Sequence, residues 1–154
     1  MSLARAKEHL SKFGLDDRIL VLDESSATVA EAAHALNTEP DRIAKTLGFY
    51  VSGEPILIVA SGNSKIDNFK FKKVFGRHGG HMIPREEVES VIGHEVGGVC
   101  PFGIEKGVKV YLDESLKKYE TVYPATGSIN SAIELSIAEL EKASEFTEWI
   151  DVTK

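Results

Sequence analysis

The pattern of hydrophobic and polar positions predicts short helices and short strands in mixed order along the chain. Residues 3–10 form an amphipathic helix in this interpretation, because Leu3, Ala6 and Leu10 recur at helical spacing on one side. Thr28 and Glu31 have the spacing of a capping box, so a helix is predicted from Val29 to near Asn37.

Extended segments separate these helices. Arg18–Leu22 is an apolar run typical of a buried strand. Thr46–Val51 and Pro55–Ala60 are rich in β-formers, and a hairpin with a three-residue turn at Ser52–Glu54 should join them. Further strands are predicted at Val108–Asp113, Ala132–Leu135 and Phe146–Val152.

The remaining helices carry recognisable end signals. Asp67 can cap a helix over 68–75, and Pro84–Gly93 has a proline near its start and a glycine after its end. Ser136 and Glu139 repeat the capping-box spacing before a helix through Lys142. The order is not a regular βαβ alternation, so we expect one α/β domain over 1–154, with a mixed, largely antiparallel sheet and peripheral helices.

Composition and charge narrow the function. The 154 residues are 42% hydrophobic with a formal net charge of −6, which argues against a broad surface that coats nucleic acid. Cations nevertheless concentrate in one stretch, the only place where a polyanion would plausibly dock: Lys65, Lys70, Lys72, Lys73, Arg77 and His78.

The chain shows no sign of secretion or membrane insertion. It has a single cysteine, no apolar run near the roughly 18–20 residues of a membrane span, and no apolar core in its first ten residues. These features predict a cytoplasmic protein.

The segment 94–103 stands out because it holds three glycines and a proline in ten residues. Such a loop can expose backbone N–H groups around a hollow that suits a developing oxyanion, although it can equally be structural. We expect this hollow to face Lys45, which lies at the start of a predicted strand.

Familiar catalytic patterns are missing. The sequence contains no H-E-x-x-H, C-x-x-C, G-x-S-x-G or Walker loop. Cys100 has no obvious partner histidine in the sequence, and a lone cysteine is more often a small buried hydrophobe than a nucleophile.

Three segments together resemble a known family. Arg42–Leu47, Gly97–Gly103 and Thr126–Asn130 are similar, in this order and spacing, to segments of the YbaK/ProX-type aminoacyl-tRNA deacylases, which also occur inserted in bacterial prolyl-tRNA synthetases. The likeness covers roughly residues 20–145. It implies a β-barrel-like mixed sheet with flanking helices, no metal or other cofactor, and hydrolysis of the ester that joins a wrong amino acid to tRNA.

The resemblance also implies roles for particular residues. Lys45 matches the essential lysine of the family, Gly97 and Gly98 match glycines of its substrate pocket, and Ser128 with Asn130 lies in its third pocket loop. The partners implied are the acceptor end of mischarged tRNA and a synthetase. The lysine-rich stretch (Lys65, Lys70, Lys72 and Lys73) would contact the tRNA.

These residues suit ester hydrolysis, in which negative charge builds on the carbonyl oxygen. We expect the Gly98 N–H, with that of Val99, to face this oxygen, and Thr46 to line the pocket. Lys45 would orient the ester or the terminal phosphate, and the nucleophile would be water or a group of the substrate. Two alternatives remain open: a binding module without turnover, and a hydrolase of simple esters.

Overall fold

The computed structural model describes residues 2–76 and 80–154. Its α-helices are α1 (Ser2–Ser11), α2 (Val29–Ala35), α3 (Asn68–Phe75), α4 (Arg85–Ile92) and α5 (Ile137–Ser144). Its strands are β1 (Leu20–Val21), β2 (Ile43–Val51), β3 (Glu54–Ser61), β4 (Gly80–Met82), β5 (Lys109–Asp113), β6 (Thr121–Pro124), β7 (Ser131–Ala132), β8 (Leu135–Ser136) and β9 (Glu148–Ile150).

The main sheet has the order β8-β6-β2-β3-β5-β9, with β4 also pairing with β2, while β1 pairs with β7 in a separate two-stranded sheet. Among the described residues, four strand pairings are antiparallel and three are parallel. The predicted mixed α/β class is therefore confirmed.

Strand β2 organises the sheet because its nine residues contact three other strands. It pairs with β3 from Ala44 to Val51, and the connecting turn has two residues rather than the predicted three. Ser52 and Gly53 both have positive φ angles, 52° and 79°, as a type I′ hairpin turn requires. Glu54 already belongs to β3.

Two other expectations need correction. Only Leu20 and Val21 of the segment 18–22 form a strand, and their side chains are exposed, because β1 pairs with β7 alone. The single strand expected over 132–135 is two short strands, β7 and β8, that pair with different partners. Strand β4, which includes Met82, was not predicted.

The predicted helix ends agree closely with the structure. Both capping boxes form, with Thr28 accepting from the Glu31 N–H and Ser136 from the Glu139 N–H. Asp67 caps α3 through two backbone N–H groups, and Gly93 ends α4 in a left-handed conformation. No helix among the described residues is long and apolar enough to cross a bilayer.

Helix α1 fixes two distant loops against the core. A Cβ atom on Gly103 would lie 2.5 Å from the Arg5 carbonyl oxygen, and one on Gly127 would lie 2.4 Å from that of Ser2. Only glycine permits such an approach, and the φ angles of 68° and 96° also favour it. The helix itself is held by its buried Ala6 and Leu10.

Candidate active site

A gap in the pairing of β2 opens onto a cavity of about 360 Å³. On the side away from β3, strand β6 covers only Ile43 and Ala44, and β4 covers only Phe49–Val51. The four residues between them, Lys45–Gly48, all line the cavity. The structure therefore places the predicted catalytic lysine at an interruption of the sheet.

Thr46 presents backbone groups to this gap. The Gly48 carbonyl accepts from the Ile83 N–H (3.0 Å), so the polar backbone groups of Gly48 point away from β3. Since this direction alternates along an antiparallel strand, the N–H and C=O of Thr46 point the same way. Its Oγ1 is buried and has no hydrogen-bond partner in the described part of the chain.

The remaining wall is mainly apolar. Helices α2 and α4 contribute aliphatic side chains, and Arg85 brings a cation that the sequence interpretation missed. The apolar residues of this wall, from these two helices and from other elements, are Val29, Ala32, Ile43, Met82, Ile83, Val88, Ile92, Val96, Tyr123, Ala125 and Ala132.

The Lys45 ammonium is held by a loop. Its Nζ donates to the backbone carbonyls of Gly62 (3.1 Å) and Ser64. An ammonium has three donors, so one remains for a ligand. The pKa of Lys45 is lowered from its ordinary value, chiefly because partial burial disfavours the charged form; the Asp41 carboxylate opposes this shift, and the Lys65 ammonium adds to it.

The loop that holds Lys45 is itself constrained. The Asn63 N–H donates to Asp41 Oδ1 (2.9 Å), and the Ser64 hydroxyl donates to the Ser61 carbonyl (2.6 Å). A Cβ on Gly62 would lie 2.0 Å from the Pro40 carbonyl oxygen, so no larger residue fits without a shift. Sequence spacing does not indicate a role for this loop, because it contacts Lys45 only through the fold.

The glycine loop faces the same cavity. Gly97, with φ of 95°, and Val99 both line it. Gly98 does not, and its N–H donates to the Glu95 carbonyl (3.0 Å), so it is already occupied rather than free to receive an oxyanion. Among the described residues the N–H groups of Gly97 and Val99 have no acceptor, which makes them the better candidates.

Gly98 instead joins two loops. A Cβ at this position would lie 2.6 Å from both Gly127 C and Ser128 N. The side chains of Ser128 and Asn130 already have partners: the Ser128 hydroxyl donates to Asn130 Oδ1 (3.1 Å), and Asn130 Nδ2 donates to the Leu22 carbonyl (3.2 Å). Neither lines the cavity, and their predicted role in substrate binding stays a prediction.

Cys100 has a histidine beside it, contrary to the sequence interpretation. His94 Nε2 lies 3.5 Å from Cys100 Sγ and 2.6 Å from the Phe102 carbonyl oxygen. Both side chains are 0% exposed, and neither lines the cavity. Burial raises the pKa of the Cys100 thiol to about 12 and lowers that of His94, so both side chains are favoured in their neutral forms.

The predicted tRNA-contacting lysines differ in whether the structure shows partners for their ammonium groups. Lys70 Nζ is bound by Asp151 (3.1 Å) and by the Thr153 carbonyl (2.8 Å). Lys65, Lys72 and Lys73 are exposed. Arg77 and His78 lie outside the described residues.

The site thus defines a small α/β domain in which a lysine and a glycine-rich loop line one mainly apolar cavity. The aminoacyl-tRNA editing domain family matches residues 23–143. The chain belongs to this family.

Relatives and solved structures agree with this assignment. Protein YwhH of Bacillus subtilis (strain 168), described as uncharacterized, is 46% identical over 100% of this chain and 98% of its own length. The proline–tRNA ligase of Bacillus cytotoxicus (strain DSM 22905 / CIP 110041 / 391-98 / NVH 391-98) is 31% identical over 57% of this chain, but the match spans only 16% of the ligase. A crystal structure described as that of a candidate trans-editing enzyme for prolyl-tRNA synthetase has a TM-score of 0.87 and 28% identity, covering 99% of this chain and 97% of the other.

Proposed function

We propose that this chain hydrolyses the ester of mischarged aminoacyl-tRNA in trans, without a metal ion. One observation carries the proposal beyond family membership. Lys45 lines the same cavity as Gly97 and Val99, which follow it by more than fifty positions in sequence.

The reaction adds water across the ester. Water attacks the acyl carbon, the bond from that carbon to the terminal ribose oxygen breaks, and the ribose oxygen takes up a proton. The products are a free amino acid and tRNA with its hydroxyl restored.

Each residue has a physical part in this step. The Gly97 and Val99 N–H groups stabilise the negative charge that develops on the carbonyl oxygen. The third donor of Lys45 holds the ester or the terminal phosphate, while the Gly62 and Ser64 carbonyls fix the direction of the ammonium. The apolar wall strengthens these interactions by excluding water.

The activity is tested with a panel of Ala-, Cys-, Ser-, Thr- and Pro-charged tRNAs. We expect the protein to release free amino acid from at least one of them, and Lys45→Ala to lower kcat by about 10²–10³, as the loss of one transition-state donor does elsewhere. Lys118→Ala, which changes an exposed lysine away from the cavity, is the matched control and should keep wild-type rates.

Other results identify the alternatives. Saturable binding without release of amino acid would mean a binding module, and equal turnover of simple esters without tRNA would mean a general esterase. Unchanged rates for Lys45→Ala would refute the assigned site. Activity that a chelator abolishes and added metal restores would refute the metal-independent step.

A further inference from the structure

Phe69 is the most exposed large apolar side chain among the described residues, at 78% of its surface. It lies in the first turn of α3, whose Phe71 is buried against Phe49 and Phe75 on the opposite side. Burying a phenylalanine ordinarily stabilises a fold, so leaving this ring in water forgoes a stabilising contact.

The ring has cations beside it. Lys72 and Lys73 follow Phe69 by three and four positions, which places them on the same face of the helix. Both are exposed, and neither takes part in an ion pair within the described part of the chain. Lys70 points elsewhere, toward Asp151, and Asp67 is occupied as the cap of the helix.

This face of α3 lies close in sequence to the loop that holds Lys45. The carbonyl of Ser64 accepts from Lys45, and Phe69 follows Ser64 by five residues. Five residues extend over at most about 18 Å, so the backbone of Phe69 lies within that distance of the loop that holds the ammonium. A few unpaired nucleotides span such a length. Lys65, whose charge lowers the pKa of Lys45, lies between the two points in sequence.

We propose that Phe69 is a stacking platform for an unpaired base of the 3′ end of tRNA, with Lys72 and Lys73 on the adjacent phosphates. An aromatic face flanked by cations is the usual means of binding single-stranded nucleic acid without reading its sequence. The local positive charge complements this occupant, although the chain as a whole has a net charge of −6. The inference rests on the proposed function for its substrate, but not for its binding test.

The first test is binding, and it does not need catalysis. A labelled single-stranded RNA ending in CCA is titrated with wild type, Phe69→Ala, Phe69→Trp and Val74→Ala, the last changing another exposed side chain of α3. We expect Phe69→Ala to weaken binding about tenfold, while the Trp and Val74 variants bind like wild type. The Lys72→Ala/Lys73→Ala double variant should reduce the slope of log K against log[salt] by about 1.4.

The second test separates docking from chemistry. With aminoacyl-tRNA, Phe69→Ala should raise KM about tenfold and leave kcat within twofold. With an aminoacyl ester of adenosine alone, which lacks the preceding unpaired bases that would stack on Phe69, both constants should be unchanged. Equal losses on both substrates would mean that Phe69 is structural, and wild-type behaviour on RNA would mean that the face serves another partner; either result overturns the proposal. If Phe69→Ala weakens RNA binding but the wild-type protein hydrolyses no aminoacyl-tRNA, the stacking proposal stands and only the proposed function is refuted.

Discussion

Asp41 gives the sharpest test of how the ammonium is held. Its Oδ1 accepts the Asn63 N–H, and its charge opposes the lowering of the pKa of Lys45. Two substitutions separate these effects. Asp41→Asn keeps an oxygen acceptor and removes the charge, whereas Asp41→Ala removes both.

The expected size of the Ala effect follows from the exposed position of this hydrogen bond. A hydrogen bond to a charged group contributes about 1.5–3 kcal/mol, and water can replace part of an exposed one, so the lower figure applies. About 1.4 kcal/mol corresponds to tenfold in rate. We therefore expect Asp41→Ala to lower kcat/KM about tenfold near neutral pH.

The pH profile distinguishes the Asn variant. In the proposed reaction Lys45 works as an ammonium, so we expect activity to fall as pH rises through its pKa, which desolvation has already moved below the ordinary value for lysine. Asp41→Asn removes a charge that favours the ammonium, so this alkaline limb should move to lower pH while the acid side stays in place.

The assay is single-turnover deacylation over pH 6–10, with spontaneous ester hydrolysis measured in parallel and subtracted. Glu54→Gln, a change in β3 at the hairpin turn, serves as the charge-matched control and should leave the profile in place. An alkaline limb that Asp41→Asn does not move would refute the electrostatic link between Asp41 and Lys45. Wild-type rates for Asp41→Ala would refute the role of the loop.

Two further substitutions test the glycine loop and the buried thiol. Gly98→Ala places a methyl group 2.6 Å from the Gly127–Ser128 backbone, so it should lower kcat/KM at least tenfold, whereas Gly107→Ala, with open space around its Cβ, should lose only stability, measured by thermal unfolding. Cys100→Ala should keep kcat within about twofold, and native protein should resist thiol alkylation because Cys100 is 0% exposed. Inactivation that follows alkylation of Cys100 in the folded protein would contradict this second expectation.

The sequence predicted local structure better than contacts made across the fold. Both capping boxes and the Gly93 helix end depend on residues a few positions apart, and all formed as expected. The prediction of a buried strand at 18–22 was wrong because the exposure of this segment depends on the strand with which it pairs. That partner, β7, lies more than a hundred residues away in sequence.

The same limit applies to the site. The resemblance indicated Lys45 and the glycine loop, and the structure brings both to one cavity. It did not indicate that Gly98 is hydrogen-bonded to Glu95, or that Gly62 and Ser64 receive the ammonium. These facts depend on peptide orientations and on close packing, which glycine spacing alone does not determine.

Helix α1 makes the stability of two loops near the candidate site depend on one short element. Gly103 and Gly127 both rest against its backbone, while the strands are held by their own ladder. Fraying of these ten residues would release both loops and leave the strands paired. We therefore expect heating to abolish activity at a lower temperature than the one at which calorimetry detects unfolding of the sheet.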